Sequence, residues 1–180
     1  MSHKKSLRER LLAFETALND KADIFAGEAL KNGKGVEKAL KGRSNLANGD
    51  SDEPILIVDS TIFGSVKEGL YITESRIYGK ALYEDRREFL IETIGNIEVD
   101  EEKRSIIIDG VALQFGENIL PKLFIISDCI REHIDSNANA NSSIQKGRVA
   151  YIKTLCAQLL KLSLRVTKWN ITSTGRITKV

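Results

Sequence analysis

Apolar residues near the N-terminus recur at the spacing of an amphipathic helix. The series runs through Leu7, Leu11, Phe14 and Leu18, about one residue per helical turn. Ser6 and Glu9 match a capping box, in which each side chain satisfies a backbone N–H of the other residue. The pattern therefore predicts a helix that begins after Ser6. A second helix is predicted from about Lys21 to Lys31, and Gly33 and Gly35 are predicted to end it.

After Pro54 the pattern changes to short apolar runs that are typical of β-strands. The predicted strands cover residues 55–58, 69–73, 76–80, 89–94, 96–99, 105–109 and 111–115. In the last of them Val111, Leu113 and Phe115 alternate with other residues, so one face of that strand is expected to be buried. Six or seven short strands separated by turn-forming residues favour a sandwich or a small barrel.

An amphipathic helix is predicted to follow the strands, from Pro121 to Asp135. Proline is accepted in the first turn of a helix because the N–H that it lacks would have no partner there. One apolar stripe of this helix consists of Leu123, Ile126, Ile130 and Ile134. We expect the stripe to pack against one end of the strand region.

Two polar segments, residues 42–53 and 136–143, are rich in turn-forming residues and are predicted to be linkers. They divide the chain into an N-terminal helical segment (1–43), a strand-rich domain (54–135) and a C-terminal extension (144–180). In the extension we predict an amphipathic helix from about Gln145 to Lys161. For residues 162–180 helix and strand interpretations compete, and the strand interpretation places a turn at Ser173-Thr174-Gly175.

The segment Asp59–Thr73 carries the most informative motif of the chain. A polar start leads into the apolar pair Ile62-Phe63, and a turn bounded by Gly64 and Gly69 leads into a strand. This order resembles the opening of the small bacterial pleckstrin-homology-like (PH/GRAM-like) domains. Those domains run from an Asp-Thr-Ile-Phe-Gly-Ser type turn into a Gly-hydrophobic-x-Ile/Leu-Thr strand.

The resemblance implies an α+β fold in which a PH-like β-barrel over residues 54–135 is capped by a C-terminal helix. N-terminal helices would precede the barrel, and a basic C-terminal helical/β extension would follow it. Because one fold carries many unrelated activities, the resemblance predicts architecture and no reaction. In eukaryotic lipid-binding PH domains a basic cluster in the first hairpin holds the inositol phosphates, whereas here that hairpin offers Glu68, Glu74 and Arg76. We therefore predict no phosphoinositide site.

Several features predict a cytoplasmic protein. No apolar run approaches the roughly 20 residues that are needed to span a bilayer. The basic N-terminus leads into charged residues instead of the uncharged apolar stretch of a signal peptide. The two cysteines, Cys129 and Cys156, offer no disulfide framework and fit a reducing compartment.

The sequence offers no recognisable catalytic, cofactor or metal site, and we predict that the protein is not an enzyme. His3 and His133 have no second histidine or cysteine at ligand spacing, and His133 is expected to be a partly exposed helix residue. Both cysteines are expected to be small buried hydrophobic residues. The acidic residues around 98–102 lack the alternating ligand positions of a calcium loop and are interpreted as a solvated turn.

Nucleotide hydrolysis is also not expected. Gly64 and Gly69 stand at the spacing of a phosphate-binding loop, but Leu70 and Tyr71 occupy the positions where that motif needs Lys and Ser or Thr. No lysine is therefore placed to reach the phosphates of a nucleotide.

A net charge of +2 hides a strong separation of charge along the chain. Residues 51–135 contain 9 Lys and Arg against 18 Asp and Glu, whereas residues 136–180 contain 8 Lys and Arg and no acidic residue. The only tryptophan, Trp169, lies in this basic segment. We therefore select as candidate partner-binding residues Lys153, Lys161, Arg165, Lys168 and Trp169.

Two functions remain open at this point. The first is a non-catalytic PH-like module that binds another protein or associates with itself, with the basic tail docked on acidic surface of its own chain or a neighbour. The second is an adaptor that binds an anionic membrane or nucleic acid through the tail, with Trp169 stacking or anchoring. The two differ in their expected sensitivity to salt, which weakens binding driven by counterion release.

Overall fold

The computed structural model describes residues 4–20, 23–61, 64–138, 169–171 and 177–179, and every structural statement below refers to them. The chain divides into two compact units, Met1–Asn137 and Ala138–Val180. The first unit contains helices and strands and is an α+β structure. In the second, residues 169–171 and 177–179 form an antiparallel hairpin.

The helices of the first unit are α1 (Leu7–Leu12), α2 (Glu15–Leu18), α3 (Lys34–Asn45) and α4, which is helical over the described residues 120–138. Short 3₁₀ helices cover Gly27–Lys31, Ile91–Thr93 and Glu117–Ile119. The strands are β1 (Ile24–Ala26), β2 (Leu56–Asp59), β3 (Gly69–Ile72), β4 (Arg76–Lys80), β5 (Arg87–Leu90), β6 (Ile97–Asp100), β7 (Ser105–Ile108) and β8 (Val111–Gln114). The hairpin of the second unit consists of β9 (Trp169–Ile171) and β10 (Ile177–Lys179).

The strands of the first unit form two antiparallel sheets. One sheet has five strands in the order β1-β2-β3-β4-β5, and the other has three in the order β6-β7-β8. No described helix is long and apolar enough to cross a membrane.

One large core joins both sheets to α1 and α4. It contains the inward-facing residues of β2, β3 and β4 together with those of β7 and β8. The stripe predicted for α4 faces this core, because Leu123, Ile126 and Ile130 are fully buried and Ile134 packs against them. The capping box of α1 is also confirmed, since both Ser6–Glu9 hydrogen bonds are formed.

A second, smaller core lies on the opposite face of the five-stranded sheet. There α3 and the segment after it cover Ile57, Tyr71 and Tyr78, which alternate with the inward-facing residues of the same strands. Because both faces are covered, all residues of β2 and β3 are buried. This double burial explains why residues 55–58 form a continuous apolar run.

The predicted closed barrel is wrong, since the described strands form two separate sheets with no ladder between β5 and β6 or between β1 and β8. The 3₁₀ turn Ile91–Thr93 carries the chain from one sheet to the other and ends the pairing after β5. The seven strands predicted between Pro54 and Phe115 are confirmed as β2 to β8, with no boundary shifted by more than four residues. The two strands of the C-terminal strand interpretation are confirmed as β9 and β10. The predicted turn at Ser173-Thr174-Gly175 lies outside the described residues.

The predicted α-helix from Lys21 to Lys31 is wrong, because residues 24–26 form strand β1 and residues 27–31 form a 3₁₀ helix. In the strand, Ile24 and Ala26 face the large core while Phe25 packs against the small one. Strand β1 pairs with β2 over three residues, and this pairing overrides a weak local helix preference.

The predictions for Gly33, Gly35 and the linker 42–53 also need correction. Gly33 is the N-cap of α3 and Gly35 lies in its first turn, whereas the preceding 3₁₀ helix ends at Lys31 with Asn32 as its C-cap. Helix α3 extends into the predicted linker as far as Asn45, and Leu46 beyond it is fully buried. The helix escaped prediction because its buried face includes Gly35 and Gly42 in place of large apolar side chains.

Candidate partner-binding surface

The residues selected from the sequence are not brought together by the described structure. Lys153, Lys161, Arg165 and Lys168 lie outside the described residues. Trp169 begins β9, where its backbone lies opposite Lys179 of β10. Their proposed role in binding remains a prediction, and the described surface offers a different candidate.

The motif segment after β2 forms a turn that is organised by one buried carboxylate. Asp59 is 2% exposed and forms an ion pair with Lys38 of α3. Its Oδ1 accepts hydrogen bonds from the Thr61 hydroxyl at 2.5 Å and from the backbone N–H of Thr61 and Val66 at 3.1 and 3.3 Å. Lys38 also donates to the Gly64 carbonyl at 2.6 Å. The carboxylate is fully engaged by the fold, so we assign it a structural role.

The conformations expected for the two motif glycines are confirmed. Gly64 has φ of 64° and Gly69 has φ of 133°, both in the region that favours glycine. A Cβ on Gly69 would in addition overlap the carbonyl oxygen of Val58 on β2. Glycine at this position lets β3 approach β2 and sets the register of the sheet.

A cavity of about 550 Å³ opens beside this turn. Its walls come from the β2–β3 connection, from Leu82 in the β4–β5 loop and from residues 114–116 at the end of β8. The polar side chains that line it are Ser60, Thr61, Ser65, Lys67, Glu68 and Gln114. The cavity therefore combines neutral hydroxyl groups with one charge of each sign beside apolar Leu82 and Phe115.

The β4–β5 loop, residues 81–86, places two large apolar side chains in solvent, and the first of them, Leu82, lines this cavity. Leu82 is 58% exposed and Tyr83 is 95% exposed. Tyr83 has φ of 62°, which is uncommon for a residue other than glycine. Because an aromatic side chain of this kind buries a large area when it is covered, the loop tip is a candidate contact for a protein partner.

The loop leads into β5, whose outer edge is unpaired in the part of the chain that the structure describes. Ile91 donates its N–H to Ser75 at 2.9 Å, so the odd-numbered residues of β5 face β4. Glu88 and Leu90 consequently direct their backbone groups away from the sheet. The Leu90 carbonyl accepts from the Thr93 hydroxyl at 2.9 Å, and no described residue occupies the backbone groups of Glu88.

The opposite edge of the same sheet is covered by a side chain. The Asn19 amide accepts from the Ala26 N–H at 2.8 Å and donates to the Ala26 carbonyl at 3.1 Å. It thereby takes the place that a neighbouring strand would occupy on β1. Natural sheets often block their edges in this way, because an open edge pairs readily with another chain.

The first hairpin of the predicted PH-like domain has its charged residues engaged within the fold. Arg76 contacts Asp50 at 3.0 Å and Glu88 at 3.1 Å. The Glu74 carboxylate accepts from the N–H groups of Leu7 and Arg8 at the start of α1. Through these contacts the hairpin holds the start of α1 and the segment after α3 in place.

Two titratable residues of α4 have environments that disfavour their charged forms. Burial raises the pKa of the Cys129 thiol to about 11, which agrees with the predicted buried hydrophobic role. Burial also lowers the pKa of His133, which is partly exposed as predicted and has Nε2 3.1 Å from the Asn137 amide nitrogen. Among the described residues, no cluster of three or more His, Cys, Asp or Glu is arranged to hold a metal ion.

Neither the loop tip nor the two sheet edges were selected from the sequence. Leu82 and Tyr83 could have been noticed, since they are an apolar pair within a charged connection between two strands. Nothing in the sequence indicates that Asn19 pairs with Ala26, because the contact requires the path of the backbone between them. Comparisons with protein family models, curated proteins and solved structures find no match for this chain.

Proposed function

We propose that this chain is a non-catalytic PH-like binding module that recognises a protein partner or a second copy of itself. The order of its elements supports the PH-like part of the proposal. Four antiparallel strands in sequence (β2 to β5) precede three more (β6 to β8), and a helix whose apolar stripe faces the shared core follows them. This is the order that the sequence resemblance implies. Helix α3 is an addition, and it lies on the face of the five-stranded sheet that carries the smaller core.

The observation that carries the binding role is the exposed apolar tip of the β4–β5 loop beside an open strand edge. Leu82 and Tyr83 would lose contact with water if a partner covered them, and burial of apolar area contributes about 25 cal/mol per Å². The neighbouring Glu88 backbone supplies hydrogen-bonding groups that a partner strand could use. A partner could therefore gain apolar contact and directional hydrogen bonds at one place.

A photocrosslinking amino acid at position 83 tests this proposal. We expect it to capture a partner, or a second copy, that the same amino acid at exposed Glu101 in the β6–β7 turn does not capture. Capture that is lost in a Leu82→Ser variant would support recognition by the loop tip. Equal capture from positions 83 and 101 would contradict it.

The basic tail gives a second candidate function. Residues 136–180 carry eight Lys and Arg and no acidic residue, a composition that suits binding to an anionic membrane or to nucleic acid. An adaptor of this type would bind vesicles containing phosphatidylserine or a duplex oligonucleotide, and its affinity would fall steeply with added salt. Removal of residues 144–180 would then abolish that binding and leave the crosslinks at position 83 unchanged.

A further inference from the structure

We propose that two copies of this chain associate through antiparallel pairing of their β5 edges. The inference rests on the proposed binding role and names a second copy as the partner. In this arrangement Arg87 lies on a two-fold axis, opposite Arg87 of the partner copy. The pairing would join two five-stranded sheets into one continuous sheet.

The backbone of β5 has the groups that this pairing needs. Residues whose backbone N–H and C=O groups point away from β4 can form the hydrogen-bonded pairs of a new antiparallel ladder. Glu88 is such a residue. Arg86 immediately precedes β5, and if the strand is extended by one residue its backbone groups point the same way as those of Glu88. With the axis at Arg87, Glu88 of each copy lies opposite Arg86 of the other.

The charges at these positions are complementary in this register. In a β5 extended to Arg86, Arg86 and Glu88 share one face, and directly opposed side chains in an antiparallel pair have their Cβ atoms about 5 Å apart. Two symmetric ion pairs between Arg86 and Glu88 therefore form across the axis. Both side chains are on exposed residues, so neither pair requires a buried charge. The Glu88 carboxylate also pairs with Arg76 of β4 at 3.1 Å, and it would be shared between that residue and Arg86 of the other copy.

The exposed apolar residues are complementary as well. Leu90, which is 40% exposed, follows the paired residues, whereas Leu82 and Tyr83 precede them. Antiparallel pairing brings the end of one strand beside the start of the other. Leu90 of each copy thus lies near the Leu82–Tyr83 tip of its partner, and all three side chains lose exposure.

The other edge of the sheet cannot serve in the same way. On β1 the Asn19 amide already occupies both backbone groups of Ala26. On β5, by contrast, no described residue occupies the backbone N–H and C=O groups of Glu88, whose side chain pairs with Arg76. Because the paired segment is short and Arg87 meets its own copy, we expect a weak, reversible dimer.

Charge reversal tests this register with the full chain. Arg86→Glu and Glu88→Arg each place like charges opposite one another at both symmetric positions. Each single variant should weaken dimerisation by at least about tenfold in sedimentation equilibrium. The double variant Arg86→Glu/Glu88→Arg restores opposite charges and should dimerise like the natural chain.

A mixture of the two single variants gives an independent test. In the heterodimer, positions 86 and 88 of the Arg86→Glu chain are both acidic, and they lie opposite positions 88 and 86 of the Glu88→Arg chain, which are both basic. The mixture should form a heterodimer more readily than either variant forms a homodimer. Melting temperatures report the folding of each variant, and Arg86→Glu should fold normally, since no described contact involves Arg86.

Three outcomes would overturn the inference. They are a chain that stays monomeric, a dimer that is unaffected by either single variant, and a mixture that shows no preference for the heterodimer. A monomeric chain that still captures another protein through position 83 would leave the proposed binding role standing. If the chain is monomeric and also captures no protein through position 83, the proposed function is wrong as well.

Discussion

The two faces of the five-stranded sheet are both buried, but they are covered in different ways. On the inner face large aliphatic residues such as Leu56, Leu70 and Ile77 meet the second sheet and α4. On the outer face Tyr71 and Tyr78 meet α3 and the segment that follows it. The inner face thus depends mainly on apolar volume, whereas the outer face adds close backbone approach and polar contacts.

Details of the outer face show what close approach requires. A Cβ on Gly42 of α3 would lie 2.8 Å from the Tyr71 ring, so the helix can rest on that ring only with glycine there. Tyr71 and Tyr78 form an edge-to-face pair with ring centroids 6.1 Å apart. Their hydroxyls donate to the segment after α3, Tyr71 to the Asp52 carbonyl at 3.1 Å and Tyr78 to the Asp50 carboxylate. A segment that resembles a linker in sequence is held to the sheet by these bonds.

The largest effect is expected on the inner face. Ile126 of α4 is fully buried in the large core, and Ile126→Asp would bury an unpaired charge at a cost of several kcal/mol. We expect the variant to be unfolded by circular dichroism. Leu40→Asp on the exposed side of α3, where the residue is 62% exposed, is the matched control and should fold. A cooperative unfolding transition for Ile126→Asp would show that α4 does not belong to the core.

The next largest effect is expected at Gly69, where the β2–β3 ladder supports both faces. Alanine would have to adopt φ of 133° and would meet the Val58 carbonyl. We expect Gly69→Ala to lower the free energy of unfolding by about 2–3 kcal/mol, measured by urea denaturation. Gly116→Ala is a suitable control, because a Cβ there meets no atom within 4 Å and φ is −68°. Equal stability of the two variants would contradict the role of Gly69.

The inner face could largely be predicted from the sequence, and the outer face could not. The stripe Leu123, Ile126 and Ile130 has a helical period, and the period alone identifies its buried side. Helix α3 gives no such signal, since Val36 and Leu40 are exposed while Gly35 and Gly42 are buried. Apolar residues at a helical period indicate the buried face of a helix only where large side chains make the contact. On α3 glycines make it, and the pattern gives no signal.

The candidate site was missed for a related reason. An open edge at Glu88 and a blocked edge at Ala26 are properties of the backbone path, and the side chains of the two strands do not encode them. The charge separation drew attention to the basic tail, whose candidate residues lie almost entirely outside the described structure. The charge distribution in the sequence therefore identified the basic segment. It could not identify the loop tip, which is recognised by the exposure of Leu82 and Tyr83 in the structure.

Substitution of Gly42 tests the outer face without touching the inner one. Gly42→Val would push α3 away from the Tyr71 ring, and overpacking of this kind costs about 2 kcal/mol. We expect a lower midpoint of urea denaturation. The slope of the free energy of unfolding against urea concentration should be unchanged. Ser44→Val, at an exposed position of the same helix, should change the stability by no more than about 0.5 kcal/mol. Equal effects of the two valines would indicate that α3 does not rest on Tyr71.

The smallest effect is expected from the Tyr78 hydroxyl, and its pH dependence separates it from simple packing. Tyr78→Phe keeps the ring and removes a hydrogen bond to a carboxylate, so we expect a loss of about 1–2 kcal/mol near neutral pH. Tyr83→Phe at the exposed loop tip should have no effect on stability. Urea denaturation over a range of pH is the measurement for both variants.

The hydrogen bond from Tyr78 lowers the pKa of Asp50, so the stabilisation from this carboxylate is present above its unfolded value of about 3.9 and is lost as the pH falls through the folded value. Burial, with the Asp50 contact, raises the pKa of Tyr78 to about 12. Its stabilisation is therefore present below about pH 10, the unfolded value, and is lost as the pH rises through 12. The stability difference between the natural chain and Tyr78→Phe should accordingly be constant between about pH 5 and pH 9 and shrink on both sides. A difference that persists unchanged into acid and alkali would mean that the Tyr78 hydroxyl contributes through packing and not through its hydrogen bond to Asp50.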